Sequence, residues 1–456
     1  MITIDDTIAA IATPLGEGAI AVLRISGPEA IAVVSRSFRS GTPIEKMASR
    51  RGYLGEILDE VGVIDQVLVS VFRKPNSYTG QDLVEISCHG GILVTRNILA
   101  LMLKNGARTA EPGEFTQRAF LNGKMDLTQA EAVMDLIRAQ TDLALRAAKE
   151  QLTGYLGQEL GHLQDQLLTA LAHVEAYIDF PDEAIEPETG KMLIGRLSDV
   201  GRRLERLVAT ADQGRILRHG LRTVIFGEPN VGKSSLLNVL LGYDRAIVSE
   251  TPGTTRDTIE ETINVRGIPV RLIDTAGKRF SQDAIEREGI RRTEEQLAQA
   301  DLVLEVTDAS EARTVDENDR RRAGTRENLT ADKRILILNK VDLGLHADWE
   351  GVHGVRFSCR TGEGQEALNE AIWKLVMAGG VSGEDFRVAI SARHQSCLQR
   401  AMVDLQAAMA GLARIELPEL IAIDLRNALD AIGDVIGRHD TEDLLGRIFS
   451  EFCIGK

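Results

Sequence analysis

Residues 222–241 have the sequence Arg-Thr-Val-Ile-Phe-Gly-Glu-Pro-Asn-Val-Gly-Lys-Ser-Ser-Leu-Leu-Asn-Val-Leu-Leu. The part from Gly227 to Ser234 matches the G-x-x-x-x-G-K-S pattern of a phosphate-binding loop. A β-branched run precedes this loop and an apolar, helix-like run follows it, which is the context in which the pattern binds a nucleoside triphosphate. The N–H groups of the loop and the positive end of the helix dipole then face the phosphates. We predict that Lys233 reaches the β- and γ-phosphates as a catalytic residue and that Ser234 binds Mg²⁺.

A second motif predicts the base. The apolar run Arg334–Leu338 is followed by Asn339, Lys340 and Asp342. The Asp342 carboxylate can accept hydrogen bonds from guanine N1–H and the 2-amino group, whereas adenine offers no such donor pair. We expect Lys340 to lie along the base and Asn339 to tie this segment to the phosphate loop. The nucleotide is therefore predicted to be GTP, and the backbone of the turn 358–360 is expected to support the guanine.

Two segments between these motifs have the character of switch loops. Residues 249–257, Ser-Glu-Thr-Pro-Gly-Thr-Thr-Arg-Asp, form a short stretch containing Gly and Pro in which Thr255 is placed to close over Mg²⁺. The apolar run 270–273 ends in Asp274-Thr-Ala-Gly277, which supplies a carboxylate for the metal shell and an N–H for the γ-phosphate. Lys278 follows, so the glutamine that orients water in Ras-like proteins is absent. Glu286 is our candidate for that role, and the alternative is an ordinary charge on a solvated helix.

Asn230, taken with the segment 249–257, resembles GTPases that use K⁺ where others use an arginine finger. Either device places a fixed positive charge beside the bridge between the β- and γ-phosphates. The residues predicted to contact GTP are Asn230, Val231, Gly232, Lys233, Ser234, Ser235, Ser249, Glu250, Thr251, Pro252, Gly253, Thr254, Thr255, Asp274, Thr275, Ala276, Gly277, Asn339, Lys340, Asp342, Ser358, Cys359 and Arg360.

The composition limits the class of protein. A chain of 456 residues is too long for one hydrophobic core and suggests about three domains. The formal net charge of −15 argues against a general nucleic-acid binder, so an RNA contact is expected to be local or shared with a partner. The 4 cysteines are scattered without zinc-site spacing, which is typical of reduced thiols. Because neither a signal segment nor a membrane-spanning run is recognisable, we expect a soluble cytoplasmic protein.

Hydrophobic periodicity predicts the domain organisation. Residues 1–122 alternate strand-like runs, such as 19–25, 66–72 and 82–87, with helical stretches such as Gly91–Lys104, which indicates an α+β domain. Residues 123–215 and 381–456 have apolar residues at helical spacing, and the GTP-binding motifs lie between them in residues 216–380. The simplest topology is an all-α domain interrupted by an inserted α/β P-loop domain of Ras-like type, because insertions are tolerated where chain ends lie close at a surface.

Further stretches outside the GTP-binding motifs are specific to one family. They are Thr7–Pro14, Leu23–Gly27, Tyr78–Gly80, His89–Gly91, Pro112–Phe115, Arg118–Asn122 and the terminal Cys453–Lys456. Together with the Gly253–Asp257 switch, they resemble the MnmE (TrmE) tRNA modification GTPases along essentially the whole chain. The resemblance implies a K⁺-dependent GTPase that forms a homodimer through an N-terminal folate-binding domain. It also implies a complex, a heterotetramer or larger, with the flavoprotein MnmG. That complex adds an aminomethyl or carboxymethylaminomethyl group to C5 of the wobble uridine of tRNA, with carbon from 5,10-methylene- or 5-formyl-tetrahydrofolate.

The resemblance also implies roles for single residues. Arg24, Glu85, Lys124 and Lys456 match the folate-binding positions, and their charges suit the glutamate carboxylates and the pterin donor edge of a folate. Ser249, Thr251 and Thr254 match the loop that holds K⁺ with Asn230, and Glu286 matches the water-positioning glutamate. Cys453 matches a cysteine suspected of a catalytic part in the modification, and the alternative is a small residue packed beneath the folate site.

The sequence departs from the family pattern at Lys278, where an apolar residue is usual, and at Cys359, where alanine is usual. The run Arg320–Arg322 with Arg326 is a possible tRNA contact or a solvated loop. Two rival functions stay open at this point. One is a ribosome-assembly GTPase, for which no basic RNA-binding module is visible. The other is a folate-dependent aminomethyltransferase that acts without a flavoprotein.

Overall fold

The computed structural model describes residues 5–179, 187–243, 260–273, 295–313, 333–377, 390–414, 416–438 and 442–456. The chain separates into two compact units. The first unit comprises Met1–Met134, Leu156–Leu168 and Leu429–Lys456, and the second comprises Asp135–Tyr155 and Thr169–Ala428. The four domain ranges given above stay predictions.

The first unit is built on a seven-stranded sheet. Its strands are β1 (Ile8–Ile11), β2 (Gly18–Ser26), β3 (Phe38–Arg39), β4 (Gly52–Leu58), β5 (Val63–Phe72), β6 (Leu83–Gly90) and β7 (Arg108–Thr109). Their order in the sheet is β3-β4-β5-β6-β2-β1-β7, and every pair is antiparallel except β1 with β7.

One face of this sheet is covered and the other is open. On β5, Val67, Val69 and Val71 are buried, whereas Leu68 on the opposite face is 44% exposed. The buried face packs against helices α1 (Ala30–Ser35) and α2 (Ile92–Lys104). Alternation of buried and exposed side chains is what an antiparallel sheet with one covered face requires.

Three further helices complete the core of the first unit. They are α3 (Glu114–Leu121), α4 (Leu127–Arg138) and α13 (Glu442–Ser450). One apolar cluster unites α4 and α13 with the C-terminal tail, through Leu127, Ala130, Met134, Leu445, Phe449 and Phe452. Gly113 has a φ of 69°, and a Cβ there would lie 2.7 Å from the Phe449 carbonyl oxygen, so this close approach needs glycine.

The second unit contains a six-stranded sheet. Its strands are β8 (Leu221–Gly227), β9 (Glu260–Val265), β10 (Ile268–Ile273), β11 (Leu302–Asp308), β12 (Arg334–Asn339) and β13 (Val355–Arg356). The order is β13-β12-β11-β8-β10-β9, and every pair is parallel except β9 with β10. The core strands are nearly continuous apolar runs, as expected when helices cover both faces of a parallel sheet. Helices α9 (Lys233–Tyr243) and α10 (Gln365–Met377) contribute to its core.

The remaining helices form the all-α part of the chain. They are α5 (Asp142–Leu152), α6 (Tyr155–Asp179), α7 (Pro187–Ala209), α8 (Ala211–His219), α11 (Ala392–Arg414) and α12 (Pro418–Ile436). Helix α7 packs against α11. The contact stripes have helical spacing, with Leu193, Leu197, Val200 and Leu204 buried on α7 and Leu398, Ala401, Leu405 and Ala408 buried on α11.

The α/β segment interrupts this helical part, since β8 to α10 lie between α8 and α11 in the chain. The predicted fold class, an α+β N-terminal domain and a helical domain with an inserted P-loop α/β domain, is therefore confirmed. In the ranges that the structure describes, no helix combines the length and the apolar character needed to cross a bilayer.

Candidate functional site

The phosphate loop lies where parallel strand β8 ends and α9 begins. A Cβ on Gly227 would lie 2.2 Å from the Val306 carbonyl oxygen of β11, and one on Gly232 would lie 2.2 Å from Asn339 Nδ2. Asn230 between them has a φ of 63°. Only glycine fits at these two close approaches, and the glycines allow the loop to curl tightly against β11 and Asn339. The curled loop presents its backbone N–H groups at the N-terminus of α9, where an anion is favoured.

Lys233 and Ser234 begin α9 at the mouth of this loop. The Lys233 ammonium donates hydrogen bonds to the carbonyl oxygens of Gly227 at 3.0 Å and Glu228 at 2.6 Å. Its charge is thus held within the loop that the sequence predicts to bind phosphate. Ser234 is exposed in the first helical turn, and its hydroxyl is a hard oxygen ligand of the kind Mg²⁺ prefers.

Asn339 joins three segments at the carboxyl edge of the sheet. Its side chain is buried, its Nδ2 donates to the Val231 carbonyl oxygen at 2.7 Å, and its Oδ1 accepts from the Cys359 backbone N–H at 3.2 Å. The expected tie between this segment and the phosphate loop is therefore present. The same amide also fixes the turn 358–360 relative to that loop.

Asp342 follows this segment in a short 3₁₀ turn, Val341–Leu343. Its Oδ1 accepts a hydrogen bond from the Ser358 hydroxyl at 2.7 Å, and the Arg360 guanidinium is 3.9 Å from its Oδ2. The carboxylate is 14% exposed and the Ser358 side chain is buried. The sequence predicted only a backbone role for Ser358, so this orienting hydroxyl is a finding of the structure.

Lys340 lies between Asn339 and Asp342 in the sequence and has a left-handed backbone conformation with a φ of 66°. Its ammonium is 2.5 Å from Asp308 Oδ2 at the end of β11. Burial by itself would raise the pKa of the Asp308 carboxyl, but hydrogen bonds from Lys340 and Ser310 outweigh burial and lower this pKa. Asp308 was missed at the sequence level, although parallel β11 and β12 bring the polar residues at their carboxyl ends together.

A second set of predicted residues meets in the first unit. Arg24 and Glu85 are cross-strand partners on β2 and β6, and Arg24 Nε is 2.9 Å from Glu85 Oε1. Arg24 also donates to the Gly455 carbonyl oxygen at 3.5 Å, and its guanidinium carbon lies 5.6 Å from the centre of the Tyr78 ring. These contacts place the C-terminal turn, a carboxylate and a stacked cation together on the open face of the sheet.

The other two predicted folate residues are close to the same segments. Lys124 donates to the Pro75 carbonyl oxygen at 3.1 Å, and its chain lies beside Gly80, where a Cβ would be 3.4 Å from Lys124 Cγ. The Lys456 N–H donates to the Cys453 carbonyl oxygen at 3.3 Å within the terminal turn. Tyr78, whose hydroxyl is 2.9 Å from Thr116 Oγ1, belongs to this group; from the sequence it was noted only as part of the family stretch Tyr78–Gly80, without a role in folate binding.

Two family models match the chain. The GTP-binding protein TrmE N-terminus matches residues 7–124, and the MnmE helical domain matches residues 127–453. The chain is 53% identical to the tRNA modification GTPase MnmE of Akkermansia muciniphila over 453 residues, 99% of either chain. It is 45% identical to that of Geobacter metallireducens over 461 residues, 99% of this chain and 100% of the relative.

The chain belongs to the MnmE (TrmE) family of tRNA modification GTPases.

Several residues singled out from the sequence lie outside the described residues. They are the GTP and cation residues Ser249, Glu250, Thr251, Pro252, Gly253, Thr254, Thr255, Asp274, Thr275, Ala276 and Gly277, together with Lys278, Glu286, Arg320–Arg322 and Arg326. The described residues therefore include the phosphate loop and the residues 339–342 and 358–360 that the sequence predicts to contact guanine.

The cysteines of this MnmE family member are all free thiols. Cys359 is half-buried beneath the phosphate loop, with its Sγ 3.9 Å from the Gly232 carbonyl oxygen, and burial raises the pKa of its thiol. Cys453 is exposed, whereas the alternative of a packed small residue required burial. Because the Gly113 N–H donates to the Cys453 carbonyl oxygen at 3.4 Å, the tail is anchored while the thiol stays accessible.

His89, which follows Cys88, has an exposed imidazole whose Nδ1 is 2.7 Å from Asp65 Oδ1. Among the residues that the structure describes, no group of three or more His, Cys, Asp or Glu side chains gathers in a metal-binding arrangement.

Proposed function

We propose that this chain binds and hydrolyses GTP in order to drive tRNA modification. With the flavoprotein MnmG it adds an aminomethyl or carboxymethylaminomethyl group to C5 of the wobble uridine, using a one-carbon tetrahydrofolate. The observation that carries the proposal is the buried Asn339 side chain, which holds the phosphate loop and the guanine turn in one frame. An Asp342 carboxylate oriented by Ser358 completes that frame.

In this function Asp342 accepts from the guanine N1–H and 2-amino groups, and Lys233 neutralises charge on the β- and γ-phosphates. Mg²⁺ bound by Ser234 and Thr255 would supply Lewis-acid stabilisation of the phosphates. The exposed oxygen ligand at Ser234 fits such an ion. We assign the water-orienting role to Glu286 on the strength of the family resemblance.

We further propose that hydrolysis depends on K⁺ held by Asn230, Ser249, Thr251 and Thr254. Support comes from the family resemblance and from the backbone of Asn230, which turns left-handed in the exposed part of the phosphate loop. A monovalent cation there would add positive charge where negative charge develops in the transition state.

The folate is proposed to bind at Arg24, Glu85, Lys124 and Lys456. Arg24 and Glu85 fit such a ligand, because a folate carries both carboxylates and a donor-rich pterin edge. Their side chains are 21% and 26% exposed, which leaves them accessible from the open face of the sheet. Cys453, exposed on the adjoining tail, is proposed to take part in the transfer.

The open face of the first unit supports a homodimer. Ile20, Leu54 and Leu68 lie on this face with exposures of 68%, 64% and 44%. A second copy that covers this face would remove the three apolar side chains from water, which favours association. We place the assembly in the cytoplasm, where tRNA, MnmG and reduced folates meet.

Nucleoside mass spectrometry of tRNA tests this function. A deletion strain should lack C5-modified wobble uridine, and expression of this chain should restore it only when MnmG is present. Restoration without the flavoprotein would favour the stand-alone aminomethyltransferase. Normal uridine modification in the deletion strain, with the purified chain bound to ribosomal subunits, would favour the assembly GTPase and overturn the proposal.

A further inference from the structure

Six cations gather at one end of the N-terminal sheet. Lys46 ends a 3₁₀ turn, Arg50 and Arg51 precede β4, Arg73 and Lys74 follow β5, and Lys124 follows α3. The antiparallel register pairs Gly52 with Ser70, so the start of β4 lies beside the end of β5. We call the surface formed by these six residues the basic loop surface.

Hydrogen bonds between the loops fix this arrangement. The Arg50 N–H donates to the Val71 carbonyl oxygen at 2.8 Å, and its guanidinium donates to the Asn76 carbonyl oxygen at 3.4 Å. Arg73 donates through its backbone N–H to Ser49 Oγ at 3.3 Å and through its guanidinium to the Glu45 carbonyl oxygen at 2.7 Å. The Lys124 ammonium adds its contact with Pro75 at 3.1 Å. The cations are therefore held together by backbone acceptors, which leave their charge unneutralised.

The charge of this surface is not neutralised by carboxylates. Some other arginines of the same unit do pair with carboxylates, for instance Arg24 with Glu85 and Arg118 with Glu114. None of the six cations forms an ion pair with any carboxylate in the ranges described above. Two carboxylates, Glu45 and Asp82, lie on the same loops, and Asp82 Oδ1 accepts from the Lys74 backbone N–H at 2.8 Å. A local excess of positive charge thus persists on a chain whose net charge is −15.

The basic loop surface adjoins the proposed folate site. The segment that begins at Arg73 continues to Tyr78, whose ring lies 5.6 Å from the Arg24 guanidinium carbon. Lys124 contacts this segment both at Pro75 and beside Gly80. A polyanion seated on the six cations would therefore be brought beside the residues proposed to hold the folate.

We propose that the basic loop surface binds backbone phosphates of the substrate tRNA and positions the RNA beside the folate site. Lysine and arginine contacts to phosphate fix register and orientation without reading sequence, which is the task of a positioning surface. A compact group of unneutralised cations also makes binding strongly dependent on salt, because each neutralised phosphate releases counterions. This inference rests on the proposed function for the identity of the polyanion.

The test uses a triple variant of the full chain, Lys46→Gln, Arg51→Gln and Lys74→Gln. All three residues are exposed, and none of their side chains takes part in the contacts that fix the loops. The matched control is Arg146→Gln, Lys149→Gln and Arg206→Gln, which removes three exposed cations from α5 and α7 in the second unit. Binding of an unmodified tRNA transcript is measured across a salt series for both variants and for the unmodified chain.

We expect the triple variant to bind tRNA about tenfold more weakly than the unmodified chain or weaker still. The magnitude of the slope of log K against log salt should fall by about two to three, because each phosphate contact contributes roughly 0.9 to this slope on a duplex, by analogy with DNA. The control should retain wild-type affinity and slope. Equal tRNA binding by the triple variant and the unmodified chain would overturn the proposal.

A second measurement, of folate binding, distinguishes RNA from the polyglutamate tail of a folate as the anion that this surface binds. Affinities for monoglutamyl and polyglutamyl tetrahydrofolate are measured on the same proteins. If the triple variant loses only polyglutamyl binding while tRNA binding is unchanged, the surface binds the folate tail and the proposal is wrong. Failure of the unmodified chain to bind folate with tRNA binding intact would contradict the folate site alone. Failure of the unmodified chain to bind tRNA at all would overturn this surface, whereas the proposed function is tested separately by the tRNA nucleosides of the deletion strain.

Discussion

In the proposed function, base selection depends on one carboxylate, that of Asp342, whose position is fixed by its neighbours. The Ser358 hydroxyl holds Asp342 at 2.7 Å, and Asn339 holds the backbone of the next residue, Cys359. On this proposal, a guanine would meet an acceptor whose position is already fixed, so that binding would require little further ordering of the side chain.

We therefore expect Asp342→Asn to change the preferred base. The amide can still accept from the ring N1–H, but its NH₂ now faces the guanine 2-amino group, whereas a 2-oxo group would accept from it. GTP affinity should fall by roughly tenfold or more and affinity for xanthosine triphosphate should rise, because a buried donor without an acceptor costs about 1–3 kcal/mol. Competition calorimetry with both nucleotides measures the change.

The control for this substitution is Asp348→Asn, the same chemical change in the next 3₁₀ turn along the chain. It should leave the preference for GTP intact. Unaltered selectivity in Asp342→Asn would show that this segment does not contact the base.

Residues of the site differ in how far the sequence reveals them. The tie made by Asn339 was expected, because the motif after a buried parallel strand has a defined partner in the phosphate loop. The hydroxyl of Ser358 and the carboxylate of Asp308 were not expected in their roles. Their partners, Asp342 and Lys340, are 16 and 32 residues away in sequence, and only the strand order brings them into contact.

At the scale of elements, periodicity located the main strands and helices. The helix expected over Gly91–Lys104 is observed as Ile92–Lys104, and the strand expected over 66–72 is longer, Val63–Phe72. The two-residue strands β3 and β7 were not identified. Such short edge strands carry no periodic signal and exist because neighbouring elements offer them hydrogen-bond partners.

Helix α3 is joined to β7 and the N-terminal segment by a buried ionic network. Glu114 and Arg118 are both fully buried, with Arg118 Nη2 2.8 Å from Glu114 Oε1, and Arg108 Nη2 is 2.7 Å from Glu114 Oε1. Asp6 pairs with both arginines. Burial alone would raise the pKa of the Glu114 carboxyl, but hydrogen bonds from Arg108, the Glu111 N–H and Arg118 hold this pKa below its ordinary value of 4.5.

This network predicts acid lability of the first unit. Because the folded-state pKa of Glu114 is lowered, its contribution to stability is present above pH 4.5 and is lost as the pH falls through the folded-state value. Glu114→Gln should destabilise the unit by about 3 kcal/mol at neutral pH, the lower end of the cost of breaking a buried ion pair, since it removes the buried carboxylate that Arg108 and Arg118 share while Arg118 keeps its pair with Asp6. It should also reduce the pH dependence below 4.5. Hydrogen exchange of the segments 5–11 and 108–121 reports the change locally.

Glu111→Gln provides the matched control for this network, because its side chain is exposed three residues earlier in the chain. It should change the exchange of these segments little. If Glu114→Gln exchanges like the control across the pH range, the network does not stabilise the unit.

At the scale of the whole molecule, the order of the α+β, helical and α/β segments along the chain was predictable. The hydrophobic pattern changes from strand-like to helical, and the GTP-binding motifs then interrupt the helical pattern, which predicted the insertion. The position of β8 to α10 between two helical segments confirms it. The sequence did not indicate that residues 156–168 and 429–456 join the N-terminal segment in one compact unit. Apolar residues at helical spacing indicate that a helix has a buried stripe, but which other element packs against that stripe depends on the shapes of the side chains.

The GTP cycle is the step through which the whole molecule is proposed to act, and the monovalent cation tests it. Replacing K⁺ by Na⁺ should slow hydrolysis by roughly 10²-fold, the order of effect of one electrostatic group in a transition state. GTP affinity should change little, because the cation is proposed to act on charge that develops only during the reaction. Single-turnover hydrolysis and nucleotide binding are measured in both salts.

Asn230→Gly is the decisive variant for this claim, because glycine accepts the backbone φ of 63° while removing the amide ligand. The variant should bind GTP but hydrolyse it at the same slow rate in K⁺ and in Na⁺. A wild-type chain with equal rates in both salts would contradict a role for K⁺ altogether. A variant that kept the wild-type preference for K⁺ would remove Asn230 from the cation site and leave the ion to other ligands.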